Sequence, residues 1–265
     1  MTGRTLLFVG GLHRSGTTVV GRLLAGHPQV SGLRGTGVPE DEGQHLQDVY
    51  PPAARFGGPG RFGFSSEAHL DESSALATSD ARRRLLDAWA PYWDGDGPVL
   101  LEKSPPNLVR TRFLQELFPD ARFLIVVRHP IAVSLATEKW GKPWTGMRSG
   151  ALVRHWLVCH ERLMADAPHL RRLMVVRYED LIADPDTWMS RVHEFAGVRP
   201  LPPAEHLDPG PNERYLERWS QRRRQLLRSV YLDRVTRRYE ERVNRFGYSL
   251  SAPEAAPGPA VALAT

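Results

Sequence analysis

The stretch at residues 6–24 constrains the fold more than any other part of this 265-residue sequence. An apolar run from Leu6 to Val9 is typical of a short buried strand. Glycines follow at positions 10, 11 and 16, and apolar residues then recur at helical spacing between positions 19 and 24. A strand, a glycine-rich turn and a helix in this order predict a cradle for an anion, because backbone N–H groups point into the turn and the helix N-terminus carries partial positive charge.

This cradle lacks the lysine that a P-loop nucleotidase uses. From Gly11 the spacing fits G-x-x-x-x-G, but Thr17 stands where that lysine would reach the β- and γ-phosphates. The cation of the loop is instead Arg14. A kinase or nucleotidase remains an alternative, but its γ-phosphate chemistry would lose its main contact.

The hexapeptide at residues 13–18, His-Arg-Ser-Gly-Thr-Thr, closely resembles the 5′-phosphosulfate loop of sulfotransferases that use 3′-phosphoadenosine 5′-phosphosulfate (PAPS). The resemblance extends over residues 5–248 and is greatest to bacterial members and to the types that act on carbohydrates or protein tyrosines. It implies a single α/β domain with a central parallel sheet and flanking helices, PAPS as the donor, 3′,5′-ADP as the product, and no metal. The residues that it assigns to the 5′-phosphosulfate are Arg14, Ser15, Gly16, Thr17 and Thr18.

A further strand is predicted over Val99–Lys103, and prolines at positions 105 and 106 prevent its continuation. Lys103 emerges at the carboxyl end of this strand, where ligands bind in parallel α/β sheets. The turn resembles the Lys-[Ser/Thr/Asp]-Pro turn of several sulfotransferases, whose lysine lies close to the bridging oxygen of the phosphosulfate. The resemblance therefore makes Lys103 catalytic; the alternative is a surface lysine. Glu102 is the predicted structural partner of Lys103.

The most strand-like run of the chain, residues 121–127, ends at Arg128. A P-loop nucleotidase would carry an acidic residue after such a strand to hold magnesium. The arrangement resembles instead the 3′-phosphate region of sulfotransferases, where an arginine ends the strand and a serine lies on the following helix. It assigns Arg128 and Ser134 to the 3′-phosphate. Thr137 is a possible substitute, because the family's serine commonly lies eight residues after the arginine and Ser134 lies six after it.

Two later segments also resemble nucleotide-contacting parts of these enzymes. A Tyr-Glu-Asp-Leu sequence begins at Tyr178 and is widespread in sulfotransferases, where it joins a strand to a packing helix. Tyr178 is either a nucleotide contact or an ordinary packed tyrosine. Residues 212–219 resemble the segment that closes over the nucleotide, which makes Arg214 and Tyr215 candidates there.

Three consecutive carboxylates, Glu40, Asp41 and Glu42, lie in an irregular segment. They form either a solvated acidic turn or the source of a general base, since sulfuryl transfer requires a proton to leave the nucleophile. Sulfotransferases that act on polysaccharides or tyrosine carry a glutamate here, often in a Glu-x-Gln/His-aromatic context. Residues 42–45, Glu-Gly-Gln-His, resemble that context, so Glu42 is the predicted base and His45 the alternative.

Elsewhere the sequence predicts helices through residues 44–49, 78–93 and 108–118, the second of them capped by Ser79 or Asp80. Residues 51–75 are rich in turn formers and show no periodicity. A loop of this length in a compact domain is usually functional or disordered, and its phenylalanines indicate packing. We therefore expect an acceptor-site loop there.

Length and composition limit the domain organisation. Residues 1–250 suffice for one well-cored α/β domain, and the Ala- and Pro-rich residues 251–265 are expected to form a disordered tail. The formal charge of +5, from 35 basic and 30 acidic residues, suits an anionic cosubstrate and is too small to indicate nucleic acid. A single cysteine, Cys159, fits a reducing compartment. No apolar stretch reaches the ~20 residues of a membrane span, and no signal peptide is recognised, so a cytoplasmic location is expected.

These patterns predict an enzyme that transfers the sulfuryl group of PAPS to a hydroxyl or amine of a small-molecule or glycan acceptor. Besides the kinase or nucleotidase, a second alternative is a nucleotide-binding protein without catalysis. In that protein Lys103 and Glu42 would be incidental.

Overall fold

A parallel β-sheet forms the centre of the molecule. The computed structural model describes residues 3–140, 148–203, 210–255 and 258, and within them the sheet has five strands: β1 (Thr5–Gly11), β2 (Val30–Gly32), β3 (Val99–Lys103), β4 (Arg122–Val127) and β5 (Leu173–Arg177). Their order is β2-β3-β1-β4-β5. Val9 of β1 is level with Lys103 on one side and with Leu124 on the other. The predicted α/β class with a central parallel sheet is confirmed.

Helices cover the sheet. Within the described residues they are α1 (Thr17–Ala25), α2 (Ser79–Trp89), α3 (Thr111–Leu117), α4 (Pro130–Glu138), α5 (Ser149–Asp166), α6 (Tyr178–Ala183), α7 (Pro185–Ala196), α8 (Gly210–Arg223) and α9 (Leu226–Asn244). The helix α7 ends as the sequence predicts, at Gly197, which adopts the left-handed conformation with φ of 78°. None of these helices has the length and apolar content needed to cross a membrane.

Both faces of the sheet are buried, because neighbouring residues of a strand point to opposite sides. On one face Val9 packs with Leu24 of α1 and Met189 of α7. On the other face Phe8 lies 6.0 Å from the ring of Trp89 in α2. Full burial of side chains of this size contributes about 1.5–3 kcal/mol each to stability, so this apolar packing fixes β1 and the loop that follows it.

A third apolar cluster joins α4, α5, α8 and α9 to the outer part of the sheet. Trp156 of α5 is fully buried within it, and its Nε1 donates a hydrogen bond to the carbonyl oxygen of Arg128, 2.9 Å away. The residue that follows β4 is therefore hydrogen-bonded to a buried side chain of α5.

Three predicted helices differ from the observed ones. The helix predicted through residues 44–49 is absent, and a tight turn at Gly43–His45 stands in its place. Side-chain hydrogen bonds compete with the helix here: Gln47 Oε1 accepts from the backbone N–H groups of Val49 and Tyr50, at 2.7 and 3.0 Å. The helix predicted at 108–118 begins only at Thr111, after a separate turn.

The third difference concerns α2, which begins at Ser79 and ends at Trp89, before the proline at position 91. Its cap is the Thr78 hydroxyl, which accepts a hydrogen bond from Ala81 N at 3.1 Å; the predicted caps were Ser79 and Asp80.

The tail predicted from residue 251 falls mostly on positions 256–257 and 259–265, which lie outside the described residues.

Candidate active site

The loop between β1 and α1 is a tight turn formed by residues 12–16. Ser15 closes it, because both its backbone N–H and its hydroxyl donate to the carbonyl oxygen of Leu12, at 3.0 and 2.7 Å. Arg14 and Gly16 adopt positive φ angles of 72° and 102°. A side chain at Gly16 would collide with the ring of Tyr178, so glycine is required for this close approach. The loop therefore places residues 16–18 at the N-terminus of α1, as the sequence predicts.

Arg14 and Arg128 meet at this loop. Nη1 of Arg128 donates to the carbonyl oxygen of Arg14 at 3.1 Å, and the Arg14 guanidinium lies 5.0 Å from the ring centroid of Trp140. Tyr215 of α8 lies beside them. Burial raises the pKa of the Tyr215 hydroxyl, but hydrogen bonds from Lys139 and Arg14 outweigh burial, and the net shift is downward. Three cations and a polarised hydroxyl thus gather at one edge of the loop.

Arg128 is buried at the end of β4, and burial lowers the pKa of its guanidinium. Its Nε donates to Asn212 Oδ1 at 3.0 Å, and its plane lies 4.4 Å from the ring centroid of Tyr178. Its Nη2 is buried and has no hydrogen-bond partner within the described part of the chain. A buried guanidinium with an unused N–H donor is suited to bind an oxyanion.

Ser134 and Thr137 lie one turn apart on α4 and line a small cavity with Leu12 and His13. The Ser134 hydroxyl is buried and has no partner among the described residues. Both residues thus lie beside the loop, at His13. The assignment of Ser134 to the 3′-phosphate stays a prediction, and Thr137 stays the alternative.

Glu42 and Lys103 form a buried ion pair. Lys103 Nζ lies 3.3 Å from Glu42 Oε1 and donates to the carbonyl oxygen of Glu40 at 2.9 Å. The second carboxylate oxygen of Glu42 accepts from Gln44 Nε2 at 2.6 Å and lies 3.8 Å from His45 Nε2. The structure therefore brings both predicted catalytic residues together, with the alternative base His45 beside them.

The other two acidic residues of the segment, Glu40 and Asp41, make different contacts from Glu42. Glu40 reaches Lys103 through its main-chain carbonyl. Asp41 Oδ1 accepts from the backbone N–H and the hydroxyl of Thr36, at 3.0 and 2.5 Å. Both residues adopt left-handed conformations, with φ of 55° and 49°, so this part of the chain is a sharply folded turn.

Glu102 is not the partner of Lys103, contrary to the prediction. The two are neighbours on β3 and therefore point to opposite faces of the sheet. Glu102 is fully buried, and its carboxylate accepts from Ser104 Oγ and Asn107 Nδ2, both at 2.5 Å. Burial raises the pKa of this carboxyl. Ser104 Oγ in turn accepts from the backbone N–H of Gln44 at 3.0 Å, so Glu102 supports the turn that carries Glu42.

Glu179 and Asn212 are two further site residues that sequence reasoning missed. Glu179 Oε1 accepts from the backbone N–H of His129 at 2.9 Å and from Asn212 Nδ2 at 3.1 Å. Its Oε2 accepts from the Tyr248 hydroxyl at 2.8 Å. The Tyr-Glu-Asp-Leu sequence was the available signal, because its glutamate follows directly on Tyr178. Glu179 thereby fixes Asn212 against Arg128.

No group of three or more His, Cys, Asp or Glu side chains in the described ranges is arranged to hold a metal ion. The polar groups that converge on the loop are cations, hydroxyls and backbone N–H groups, which are donors suited to anionic ligands.

Comparison with known proteins identifies the family. The model of the Sulfotransferase family matches residues 7–203. A protein-tyrosine sulfotransferase of Drosophila melanogaster is 27% identical over 213 residues, which cover 73% of this chain and 38% of that protein. The nodulation protein NoeE of Sinorhizobium fredii is 26% identical over 223 residues, which cover 74% of this chain and 50% of that protein. The chain thus spans half or less of the length of these two curated relatives.

A sulfotransferase from Alicyclobacillus acidocaldarius has a similar structure, with a TM-score of 0.52 at 20% sequence identity. The alignment covers 95% of this chain and 99% of that chain. At this identity the likeness shows a shared fold, which is the parallel sheet with flanking helices. The family match, in contrast, spans residues 7–203 of 265 and includes the loop, Glu42, Lys103 and Arg128. This chain belongs to the sulfotransferase family.

Proposed function

We propose that this chain transfers a sulfuryl group from PAPS to a hydroxyl or amine of an acceptor. The observation that carries the proposal is the environment of Arg128. Its buried guanidinium bonds the backbone of Arg14 and keeps Nη2 without a partner among the described residues. A phosphate group that accepts from Nη2 would complete this site, which is where the family resemblance puts the 3′-phosphate of the donor.

The donor's other end would lie on the loop. Arg14 and the backbone of residues 15–18 would hold the 5′-phosphosulfate, assisted by the partial positive charge at the N-terminus of α1. Ser134 or Thr137 would add a hydroxyl contact. The residues present therefore fit a ligand with two separate anionic groups.

The chemistry follows from the pair formed by Glu42 and Lys103. The acceptor oxygen or nitrogen forms a bond to sulfur while the bond between sulfur and the bridging oxygen of the 5′-phosphate breaks. Glu42 takes the acceptor's proton, and Lys103 stabilises the charge that develops on the departing phosphate oxygen. Because the two side chains already touch, at 3.3 Å, base and cation are positioned before the substrates bind.

Titration calorimetry with 3′,5′-ADP and 5′-AMP tests the donor site. We expect the wild type to bind 3′,5′-ADP about 10–100-fold more tightly, which is the usual worth of a charge-assisted hydrogen bond. Arg128→Lys should remove most of this preference, because lysine cannot reproduce the planar fork. Equal affinity for the two nucleotides in the wild type would refute the assignment of Arg128.

Transfer of label from PAPS to a panel of acceptors tests the activity itself. Any acceptor sulfated with wild-type enzyme, and not with Glu42→Gln, supports the proposal. Tight binding of 3′,5′-ADP without transfer to any acceptor of the panel would favour a nucleotide-binding protein without catalysis. A strict requirement for magnesium would favour a phosphoryl-transfer enzyme.

A further inference from the structure

A basic cavity lies between the C-terminal ends of α4 and α8 and the N-terminal ends of α5 and α9. Its volume is about 400 Å³, a size that suits a small organic ligand. We call it the arginine cavity, because three of its lining residues are Arg148, Arg222 and Arg228. Its described lining includes none of the residues to which the proposed function assigns a role.

The arginine cavity is distinct from the donor site at Arg128. Asn212, which bonds Arg128, lies near the start of α8, and Arg222 lies near its end, ten residues later. At 1.5 Å per residue the two positions are about 15 Å apart along the helix. The cavity is therefore not an extension of the site proposed for the 3′-phosphate.

Arg222 is the most buried of the three arginines. Only 13% of its side chain is exposed, and its Nη2 lies 2.7 Å from Glu138 Oε2. Its Nη1 donates to the Ser149 hydroxyl at 3.4 Å, and its buried Nε has no hydrogen-bond partner among the described residues. Glu138 thus compensates the charge of Arg222, and the pair joins the end of α4 to α8.

The other two arginines of the cavity, Arg148 and Arg228, are exposed. In the part of the chain that the structure describes, neither forms a salt bridge with a carboxylate. Glu138, the acidic residue of the described lining, is already paired with Arg222. The cavity therefore carries the charge of two uncompensated guanidiniums, which attracts anions.

Two further groups favour an anion at the same place. The 18-residue helix α5 begins at Ser149, which lines the cavity, so the partial positive charge of the helix N-terminus lies there. The Tyr231 hydroxyl accepts from the backbone N–H of Gly150 at 3.0 Å and keeps its own proton to donate. Leu232 and the ring of Tyr231 supply apolar surface beside these polar groups. The cavity thus combines an anion site with room for an organic group.

The charge of the cavity indicates which anion fits it. A phosphate monoester has a second pKa of about 6 and carries nearly two negative charges at pH 7, which match the two uncompensated guanidiniums. A sulfate monoester carries a single charge and would leave one guanidinium uncompensated. The planar guanidinium also binds phosphate oxygens bidentately. These properties favour a phosphate monoester.

We propose that the arginine cavity binds the phosphate monoester of a small molecule. The phosphate lies between the guanidiniums of Arg148, Arg222 and Arg228. The organic group lies against Tyr231 and Leu232. No bond is made or broken at this site, and the proposal does not depend on the proposed function.

Titration calorimetry with phenyl phosphate tests the proposal. The wild type is first saturated with 3′,5′-ADP, so that the donor site cannot take up the titrant, and the ionic strength is held constant. We expect saturable binding to one site, and about tenfold weaker binding of phenyl sulfate, which lacks one charge of the phosphate ester. Absence of saturable binding, or equal affinity for the two esters, would overturn the proposal. If 3′,5′-ADP itself does not bind, the proposed function is wrong, and the same titration without nucleotide still decides the cavity.

Variants of the two exposed arginines locate the bound ester. Arg148→Gln and Arg228→Gln should each raise the Kd for phenyl phosphate about 10-fold or more, the usual worth of a hydrogen bond to a charged group. Both residues are exposed, so the Tm of each variant should stay near that of the wild type.

Arg237→Gln is the matched control. It removes the same charge from α9 at an exposed position, nine residues from Arg228 and therefore on the opposite side of the helix. An equal loss of affinity in Arg237→Gln would show that phenyl phosphate responds only to the overall charge of the protein. Unchanged affinity in Arg148→Gln and Arg228→Gln would place the ester elsewhere. Either result would overturn the proposal.

Discussion

Lys103 and Glu42 lie 61 positions apart in sequence, yet each compensates the other's charge. Lys103 is only 8% exposed and Glu42 only 6%. An isolated charge at such a depth is costly, so removal of one partner leaves the other in an unfavourable environment. A useful substitution at this pair must remove the charge of one residue and preserve the hydrogen bonds of both.

Glu42→Gln removes the charge and keeps the bond from Lys103, at the cost of the bond that Gln44 Nε2 donates to the second carboxylate oxygen. Its amide oxygen can still accept from Lys103, but it cannot take a proton, so kcat should fall roughly 10²–10⁴-fold. Binding of 3′,5′-ADP should change little, because the role proposed for Glu42 is toward the acceptor and not the nucleotide. The comparison is made by steady-state kinetics with the best acceptor and by calorimetry with 3′,5′-ADP.

Glu40→Gln is the matched control for Glu42→Gln. Glu40 bonds Lys103 through its main-chain carbonyl, which the substitution leaves in place, so near wild-type turnover is expected. Equal losses in both variants would indicate that the turn, and not the carboxylate, is what matters. Wild-type turnover in Glu42→Gln together with loss of activity in His45→Ala would make His45 the base.

The individual site residues could be predicted where the signal is local. The loop at 13–18, Lys103 at a strand end and Arg128 before a proline-initiated helix are each recognisable in a short window. The ion pair between Glu42 and Lys103 could not be read in this way, because it depends on how two distant segments fold together. Glu102, which was wrongly predicted as the partner of Lys103, is its neighbour in sequence, and in a strand neighbouring side chains point to opposite faces.

At the scale of elements, β3 positions two different parts of the site, because its successive side chains point to opposite faces of the sheet. Lys103 faces α1, where a side chain at Gly21 would lie 3.3 Å from its Cγ. Glu102 faces the turn at Gly43–His45, where a side chain at Gly43 would lie 2.6 Å from its Oε1. Trp89 Nε1 closes the same contact by donating to the carbonyl oxygen of Gly43 at 3.0 Å. The strand β3 thus positions Lys103 directly and the turn that carries Glu42, the proposed base, indirectly.

The buried carboxyl of Glu102 makes the stability of this element depend on pH. Burial raises its pKa, so the folded state keeps a proton that the unfolded chain releases near the ordinary value of 4.5. The unfolded state then binds fewer protons, and stability falls as the pH rises above that value. Glu102→Gln does not titrate, and its amide can donate to Ser104 Oγ and accept from Asn107.

We therefore expect the free energy of unfolding of the wild type to fall relative to that of Glu102→Gln as the pH is raised from 4 to 8. Urea denaturation of both proteins across this pH range measures the difference between their free energies of unfolding. The contributions of all other titrating groups are the same in both proteins and cancel in this difference. A difference that stays constant or grows in favour of the wild type would show that Glu102 ionises in the folded state without penalty.

The regular elements could largely be predicted from periodicity, and the irregular ones could not. The strands and the helix that ends at Gly197 follow apolar spacing and terminal signals. The segment 44–49 fails as a helix because the side chain of Gln47 satisfies backbone groups locally. The loop at 53–65 is folded by the contact of fully buried Phe62 with His155, whose centroids are 4.9 Å apart, and no local pattern reveals a contact between such distant residues.

At the scale of the whole molecule, the strand order explains why three distant cations meet. With β1 between β3 and β4, the carboxyl ends of these three strands are neighbours, and they deliver Lys103, Arg14 and Arg128 to the same edge. After β1 the chain forms β2 and β3 on one side of it and then crosses to form β4 and β5 on the other side. Such a change of side creates the crevice where open α/β sheets bind ligands. The sequence predicts each strand end, but their adjacency follows only from the order of the strands.

The C-terminal part of the chain completes this edge through Asn212. This residue of α8 is 6% exposed and bonds both Arg128 and Glu179. A ligand that binds Arg128 is therefore coupled to the docking of α8 on the sheet. At about 100 times its Kd, 3′,5′-ADP should raise the free energy of unfolding by about 2.7 kcal/mol, which corresponds to roughly 5–10 °C in Tm for a chain of this size.

Asn212→Ala should weaken this coupling. Loss of the hydrogen bond to Arg128 Nε frees the guanidinium to move, and we expect the Kd for 3′,5′-ADP to rise about 10-fold or more, the usual worth of a hydrogen bond to a charged group. At a fixed nucleotide concentration the increase in Tm should then shrink by several degrees. Gln221→Ala is the control, because Gln221 is an exposed residue of the same helix whose side chain, within the described part of the structure, bonds Glu217, at 3.1 Å. Thermal denaturation with and without 3′,5′-ADP decides the matter: an undiminished increase in Asn212→Ala would show that Arg128 binds the nucleotide without help from α8.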